Sequence, residues 1–253
     1  MKGLIVDLNG TLYFKDAVIE GAPEAIEAWR EAGLELRFMT NTDSKTPAQL
    51  VAMCHDYGLD VREDEVFSAA QVTHRFLEQQ GKPFTGLIHH SLHDNFKKLD
   101  WDDDNAAYVV VGDIERGAGY DELDRLFRRL MDGAELILMQ PSRHSYSADG
   151  PHLDAGAFGA LFEFASGQDA QIMGKPSERF FEIVLGDMGL EPHDVAVIGD
   201  DIESDIAGAA RIGATSVMVK TGKYDPQTTE KAEVSPDLVV DRVADVLDAL
   251  NKD

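Results

Sequence analysis

Short apolar runs that end in polar or acidic residues, with helical patterns between them, constrain this chain more than any other feature. Gly3 to Leu8 reads as a buried strand that carries Asp7 near its end. Leu34 to Met39 reads as a second strand and runs into Thr40-Asn41-Thr42; Val195 to Ile198 is a third and runs into Gly199-Asp200-Asp201. Thr215 to Val219 and Leu238 to Val240 supply a fourth and a fifth. Ala25, Ile26 and Trp29, within Pro23 to Ala32, have helical spacing. Thr46-Pro47-Ala48-Gln49 has the form of a capping box with proline at the first helical position. Ser177 is placed to cap a helix through Phe180, Phe181, Val184 and Leu185, and Ile202 to Ile212 forms another, closed by Gly213. Such alternation predicts βαβ units and a mainly parallel sheet. Ligands of such sheets sit beyond the carboxyl ends of the strands. Asp7, Thr40-Asn41 and Asp200 all fall at such ends.

The stretch 71–170 has a β/α rhythm of its own. Gly86 to His89, Tyr108 to Val111 and Leu136 to Met139 read as strands, and Tyr120 to Met131 and Ala155 to Ala165 as helices. The strand-end pattern resumes only after Gly174-Lys175-Pro176. The expected organisation is a core of residues 1–70 and 171–253, with 71–170 inserted as a second α/β domain.

A carboxylate at a strand end attacks phosphorus if a cation offsets its charge. Asp7 and Asp200 can hold one Mg²⁺ between them, with a backbone carbonyl and waters completing the shell. Thr40 and Asn41 offer donors to phosphoryl oxygens, and Lys175 a positive charge for the transition state. Asp205 either touches the metal shell or holds Lys175 in place, and the second role is the favoured one. Asp201 and Glu203 read as charges at a helix N-terminus rather than ligands.

Asp7-Leu8-Asn9-Gly10-Thr11-Leu12-Tyr13, Thr40-Asn41, Gly174-Lys175-Pro176 and Gly199-Asp200-Asp201 with Asp205 resemble, in order and spacing, the four motifs of the haloacid dehalogenase superfamily. With about a hundred residues between the second and third motifs, the chain is similar to subclass IIA, the NagD-like group. The resemblance implies an α/β fold: a Rossmann-like parallel-sheet core with an inserted α/β cap of the C2 type. It implies a Mg²⁺-dependent phosphohydrolase acting on small phosphorylated molecules. Asp7 attacks, an aspartyl-phosphate forms, and water hydrolyses it. The Asn9 backbone carbonyl joins Asp7 and Asp200 around Mg²⁺, while Asn9, Thr40, Asn41 and Lys175 hold the phosphoryl group. The loop from about Leu12 to Gly21 forms a flap near the cap, and a homodimer is the expected assembly. One position departs from the pattern. The usual acid–base Asp two residues after the nucleophile is here Asn9, and an amide cannot shuttle a proton at neutral pH. General acid–base help is worth roughly 10²–10⁴-fold, so slowed turnover is expected, least so for acyl or activated aryl phosphates.

Charge narrows the partners. With 47 acidic against 23 basic residues and a net charge of −24, the chain repels phosphate backbones and anionic lipid. No nucleic-acid or membrane partner is expected. Leu4-Ile5-Val6 is cut by Asp7 too early for the apolar core of a signal peptide, and Cys54 is the single cysteine, so a cytoplasmic protein is expected. His89 and His90, read as neighbours on one strand, point to opposite faces and with His93 make a poor chelating set. His144 and His152 are candidates to face a substrate. Three other classes compete. A phosphate-binding regulator with little turnover would follow from Asn9. A receiver domain is shorter, and a dehalogenase needs no metal and leaves Asp200 without a task.

Overall fold

The computed structural model describes residues 1–114, 118–147 and 150–252. The chain divides into two compact units. The first comprises Met1–Thr40, Pro47–Phe67 and Lys175–Asp253; the second comprises Asn41–Thr46 and Ser68–Gly174.

The first unit is built on a six-stranded sheet in the order Leu238–Val240, Thr215–Val219, Val195–Gly199, Gly3–Asp7, Glu35–Thr40, Val66–Ser68. The registered pairings from Leu238–Val240 through Glu35–Thr40 are parallel. Every residue of Gly3–Asp7 is buried, as a central strand covered on both faces requires. The helix Ala22–Glu31 buries Ala22, Ala25, Ile26 and Trp29, the stripe its spacing predicts. That stripe joins Leu4, Val6, Phe38, Ile198 and Val217 in one core. The helix Glu178–Met188 buries Phe180, Phe181, Val184 and Leu185.

Register decides what the sheet can present. Val6 lies opposite Ile198, and Asp7 opposite Met39. Asp200 follows the strand on one side of Asp7, and Thr40 ends the strand on the other. Three chain segments distant in sequence thus reach one carboxyl edge.

Local details differ from the sequence reading. Ser177 stands at the N-cap position but makes no side-chain capping bond. The segment Ile202 to Ile212 is not one regular helix. It opens as a π-helix, Ile202–Ile206, and continues as an α-helix, Ala207–Ile212, ending at Gly213 with φ 73°. The wider turn comes from Ile206 N–H donating to Asp201 O, five residues back, at 3.3 Å. The segment after Leu12 folds as a hairpin, Tyr13–Phe14 with Ala17–Val18. Its two turn residues, Lys15 (φ 48°) and Asp16 (φ 61°), are both left-handed, the geometry a two-residue turn demands.

The second unit holds a four-stranded parallel sheet in the order Gln171–Ile172, Glu135–Leu138, Tyr108–Val111, Phe84–Leu87. The helices Ala69–Gln80, Tyr120–Met131 and Ala155–Ser166 belong to it, as does the antiparallel pair His144–Ser147 and Gly150–Leu153. The expected strand Gly86 to His89 is displaced to Phe84–Leu87. His89 and His90 therefore lie beyond it, and their rings sit 4.5 Å apart, tilted by 32°, instead of facing opposite ways. His89 Nδ1 contacts Ser91 Oγ at 2.8 Å and His93 Nε2 contacts Ile88 O at 2.8 Å, local bonds that shape a turn.

Candidate active site

At the carboxyl edge of the first unit's sheet, Lys175 Nζ donates to Asp7 Oδ1 at 2.5 Å and to Asp205 Oδ1 at 2.6 Å. All three side chains are buried. The π-helix produces this arrangement: its wide turn carries Asp205 inward, where Oδ2 also accepts the Asp201 N–H at 3.2 Å. Asp7, Asp200 and Asp205 each bring a carboxylate oxygen within 4.8 Å of the others, and among the described residues no other acidic, histidine or cysteine group does so.

The charges do not balance. Three buried carboxylates share one buried ammonium. Burial pushes Asp7 up to about 6, with Lys175 pulling against it and Asp200 adding to it. Burial, reinforced by Asp205, pushes Asp200 up to about 6. Asp205 rises to about 7 through burial, with Lys175 opposing and Asp7 adding. Burial works against the Lys175 charge, yet Asp205 and Asp7 hold its ammonium above the ordinary value. Asp7 Oδ2 is buried and has no hydrogen-bond partner among the described residues. Clustered carboxylate oxygens and surplus negative charge together fit a hard divalent cation such as Mg²⁺.

Asp200 is fixed from a side the sequence reading did not anticipate. Its Oδ2 accepts the Lys223 backbone N–H at 2.6 Å, and its Oδ1 the Thr11 hydroxyl at 3.4 Å. Thr221 Oγ1 donates to Gly10 O at 2.5 Å, joining this loop to the one after Asp7. Lys223 Nζ pairs with Asp201 Oδ2 at 2.9 Å. Both loops come close because both carry glycine: a Cβ at Gly10 (φ 102°) would lie 2.1 Å from Asp200 Oδ2, and one at Gly222 (φ 55°) 2.0 Å from it. A signal was there to be read, since Thr221-Gly222-Lys223 follows the strand Thr215–Val219 and so occupies another carboxyl end of the same sheet.

The structure thus brings together Asp7, Lys175, Asp200 and Asp205. Thr40 is buried, one residue past the Asp7–Met39 pairing. The Asn9 side chain is exposed, and its backbone bridges to Tyr13. Asn41 falls in the second unit. His144 and His152 sit on the paired strands of that unit. Among the described residues no helix is long and apolar enough to cross a membrane.

Comparison with known proteins bears on the family and the fold. A family model described as haloacid dehalogenase-like hydrolase matches residues 4–102, and a HAD-hydrolase-like model matches residues 172–246. The chain is 34% identical to the phospholysine phosphohistidine inorganic pyrophosphate phosphatase of Bos taurus, over 99% of this chain and 94% of that one. It is 35% identical to haloacid dehalogenase-like hydrolase domain-containing protein 2 of Homo sapiens, over 98% and 95%. Among solved structures it is similar to a p-nitrophenyl phosphatase from Archaeoglobus fulgidus, with a TM-score of 0.91 and 28% identity over 98% of both chains. NagD from E. coli K-12 superposes with a TM-score of 0.89 at 25% identity, over 96% of this chain and 97% of that one.

Proposed function

The chain belongs to the haloacid dehalogenase-like hydrolases as a NagD-like phosphatase, and from that premise we propose that it is a Mg²⁺-dependent phosphohydrolase that works through an aspartyl-phosphate on Asp7 and is slowed by Asn9. Its substrates are small phosphorylated molecules. The observation that carries this is the state of Asp7: one oxygen is held at 2.5 Å by Lys175 and the other is buried without a partner. A carboxylate so held is oriented, and its second oxygen is the one left to attack.

Asp7 Oδ2 forms the bond to phosphorus as the bond to the leaving oxygen breaks. Lys175 keeps the Asp7 carboxylate in place and sets a fixed positive charge beside the developing negative charge. Asp205 fixes Lys175 in turn. Asp7 and Asp200, with the Asn9 backbone carbonyl, are the groups that would hold Mg²⁺. When bound, that ion offsets the negative charge of nucleophile and phosphate. Thr40 and Asn41 are the donors assigned to the remaining phosphoryl oxygens.

Asn9 cannot give the leaving oxygen a proton or take one from the attacking water. Both steps then rely on solvent and on leaving groups that depart as stable anions. The test is Mg²⁺-dependent phosphate release from acetyl phosphate, p-nitrophenyl phosphate and pyrophosphate, comparing the native chain with Asn9→Asp. Measurable native turnover and a gain of about ten-fold or more in Asn9→Asp are expected, the low end of what acid–base help supplies. No release by either form would favour the second reading, a phosphate-binding protein with little turnover, to which Asn9 itself points.

A further inference from the structure

Two residues after Asn41, the second unit buries a carboxylate that the proposed reaction does not use. Asp43 is 5% exposed, and its Oδ2 is buried with no hydrogen-bond partner among the described residues. The charged neighbours that act on it most strongly are Asp154 and Asp113, both carboxylates themselves. The Gln140 amide and Asp43's own backbone N–H serve it, and the amide is shared: Gln140 Nε2 also donates to Asp154 Oδ1 at 2.7 Å, and Gln140 Oε1 is taken by the Ser142 N–H at 2.7 Å. Asp154 has a structural task as the N-cap of Ala155–Ser166, where it accepts the Ala155 N–H at 2.8 Å. Asp43 has no comparable task.

A buried carboxylate beside two others is costly unless something offsets its charge. Burial, and then Asp154 and Asp113, push its carboxyl up to about 8. Protonation removes the charge but creates an O–H donor, and Oδ2 has no acceptor to receive it. A cation answers both needs. It is not a metal ion held directly, because these three residues do not bring their oxygens within the 4.8 Å that the Asp7–Asp200–Asp205 group achieves. Carboxylates spaced more widely suit a group with several N–H donors spread around one positive charge. Asp113 and Asp154 are half-buried and keep contact with solvent, so a ligand meets them first.

We propose that Asp43, Asp113 and Asp154, bridged by Gln140, form a binding site in the second unit for an organic primary ammonium group. The Asp43 Oδ2 atom accepts one of its N–H donors, and Asp113 and Asp154 complete the charge match. This site is independent of the phosphatase reading, since it rests on residues outside the catalytic group.

The probe is n-butylammonium, titrated into the full-length protein by calorimetry in about 0.3 M NaCl, where long-range attraction to the acidic surface is screened. Butyltrimethylammonium, of equal charge but without N–H donors, is the control. The native protein is expected to bind n-butylammonium saturably at one site and the quaternary ion at least ten-fold more weakly. Asp43→Asn and Asp113→Asn are each expected to weaken binding ten-fold or more; the half-buried Asp113 serves if the Asp43 variant does not fold. Absence of saturable binding, equal binding of the two ions, or unchanged binding in a folded Asp43→Asn variant would overturn the proposal.

Discussion

Glu65 is a charged residue only 1% exposed, and its surroundings explain why it tolerates that position. Burial works to raise its carboxyl, but Arg30 grips both oxygens at 2.7 Å and Arg62 adds a bond at 2.5 Å, so it is held down at about 2 from an ordinary 4.5. A carboxyl whose folded pKa is depressed contributes stability above its unfolded pKa and loses it as pH falls through the folded one. Here the contribution is in place above about pH 4.5 and fades toward pH 2. A shift of this size corresponds to roughly 3 kcal/mol. Glu65→Gln is expected to lower the free energy of unfolding by about that amount at pH 7, and by progressively less from pH 4.5 downward. Urea melts of both forms across this range would show it; an equal loss at pH 7 and at pH 2.5 would contradict it. Asp43 is the opposite case, a buried carboxylate whose Oδ2 has no partner among the described residues, and the contrast is what marks it out. Neither partnership was legible in the sequence. Arg30 and Glu65 are 35 residues apart, and only the fold brings them within bonding distance.

Among elements, the loop from Thr221 to Lys223 deserves the same standing as the four recognised motifs. It presents one backbone N–H to Asp200, one hydroxyl to the loop after Asp7, and one ammonium to Asp201. Gly222→Ala would place a methyl group 2.0 Å from Asp200 Oδ2, in a left-handed conformation that alanine resists. Asp200 must then shift, and Mg²⁺ binding followed by calorimetry is expected to weaken by about ten-fold or more, since each ten-fold corresponds to only about 1.4 kcal/mol of lost interaction. Circular dichroism should show the fold retained; unchanged Mg²⁺ binding would remove the loop from the site. Strands and helices were legible because their signals are local. The strands Tyr108–Val111, Thr215–Val219 and Leu238–Val240 and the helix Tyr120–Met131 fall where periodicity puts them. The π-turn at Asp205 was not, because an inward-facing Asp depends on Lys175, 30 residues earlier. The Lys15-Asp16 turn was missed for want of the Asn-Gly or Asp-Gly pair that usually announces it.

At the scale of the whole molecule, the parallel sheet converts sequence distance into proximity. Asp7, Lys175, Asp200 and Asp205 span nearly two hundred positions yet meet at one edge, because the strand Gly3–Asp7 is flanked by Val195–Gly199 and Glu35–Thr40. Motif order made the identity of these residues legible in the sequence, and with it the reading that Asp205 holds Lys175. The bond from Lys175 to Asp7 was not, and neither was the surplus negative charge, which exists only once three carboxylates are buried together. The central claim is that Asp7 is the nucleophile, and the most direct measurement is Mg²⁺-dependent phosphate release from acetyl phosphate and p-nitrophenyl phosphate by the native chain and by Asp7→Asn. Native release that falls by about a thousand-fold or more in the variant is the predicted result, as expected when a group acting only in the chemical step is removed. Release that persists in a folded Asp7→Asn protein at near-native rate would contradict it and assign the attack to another group.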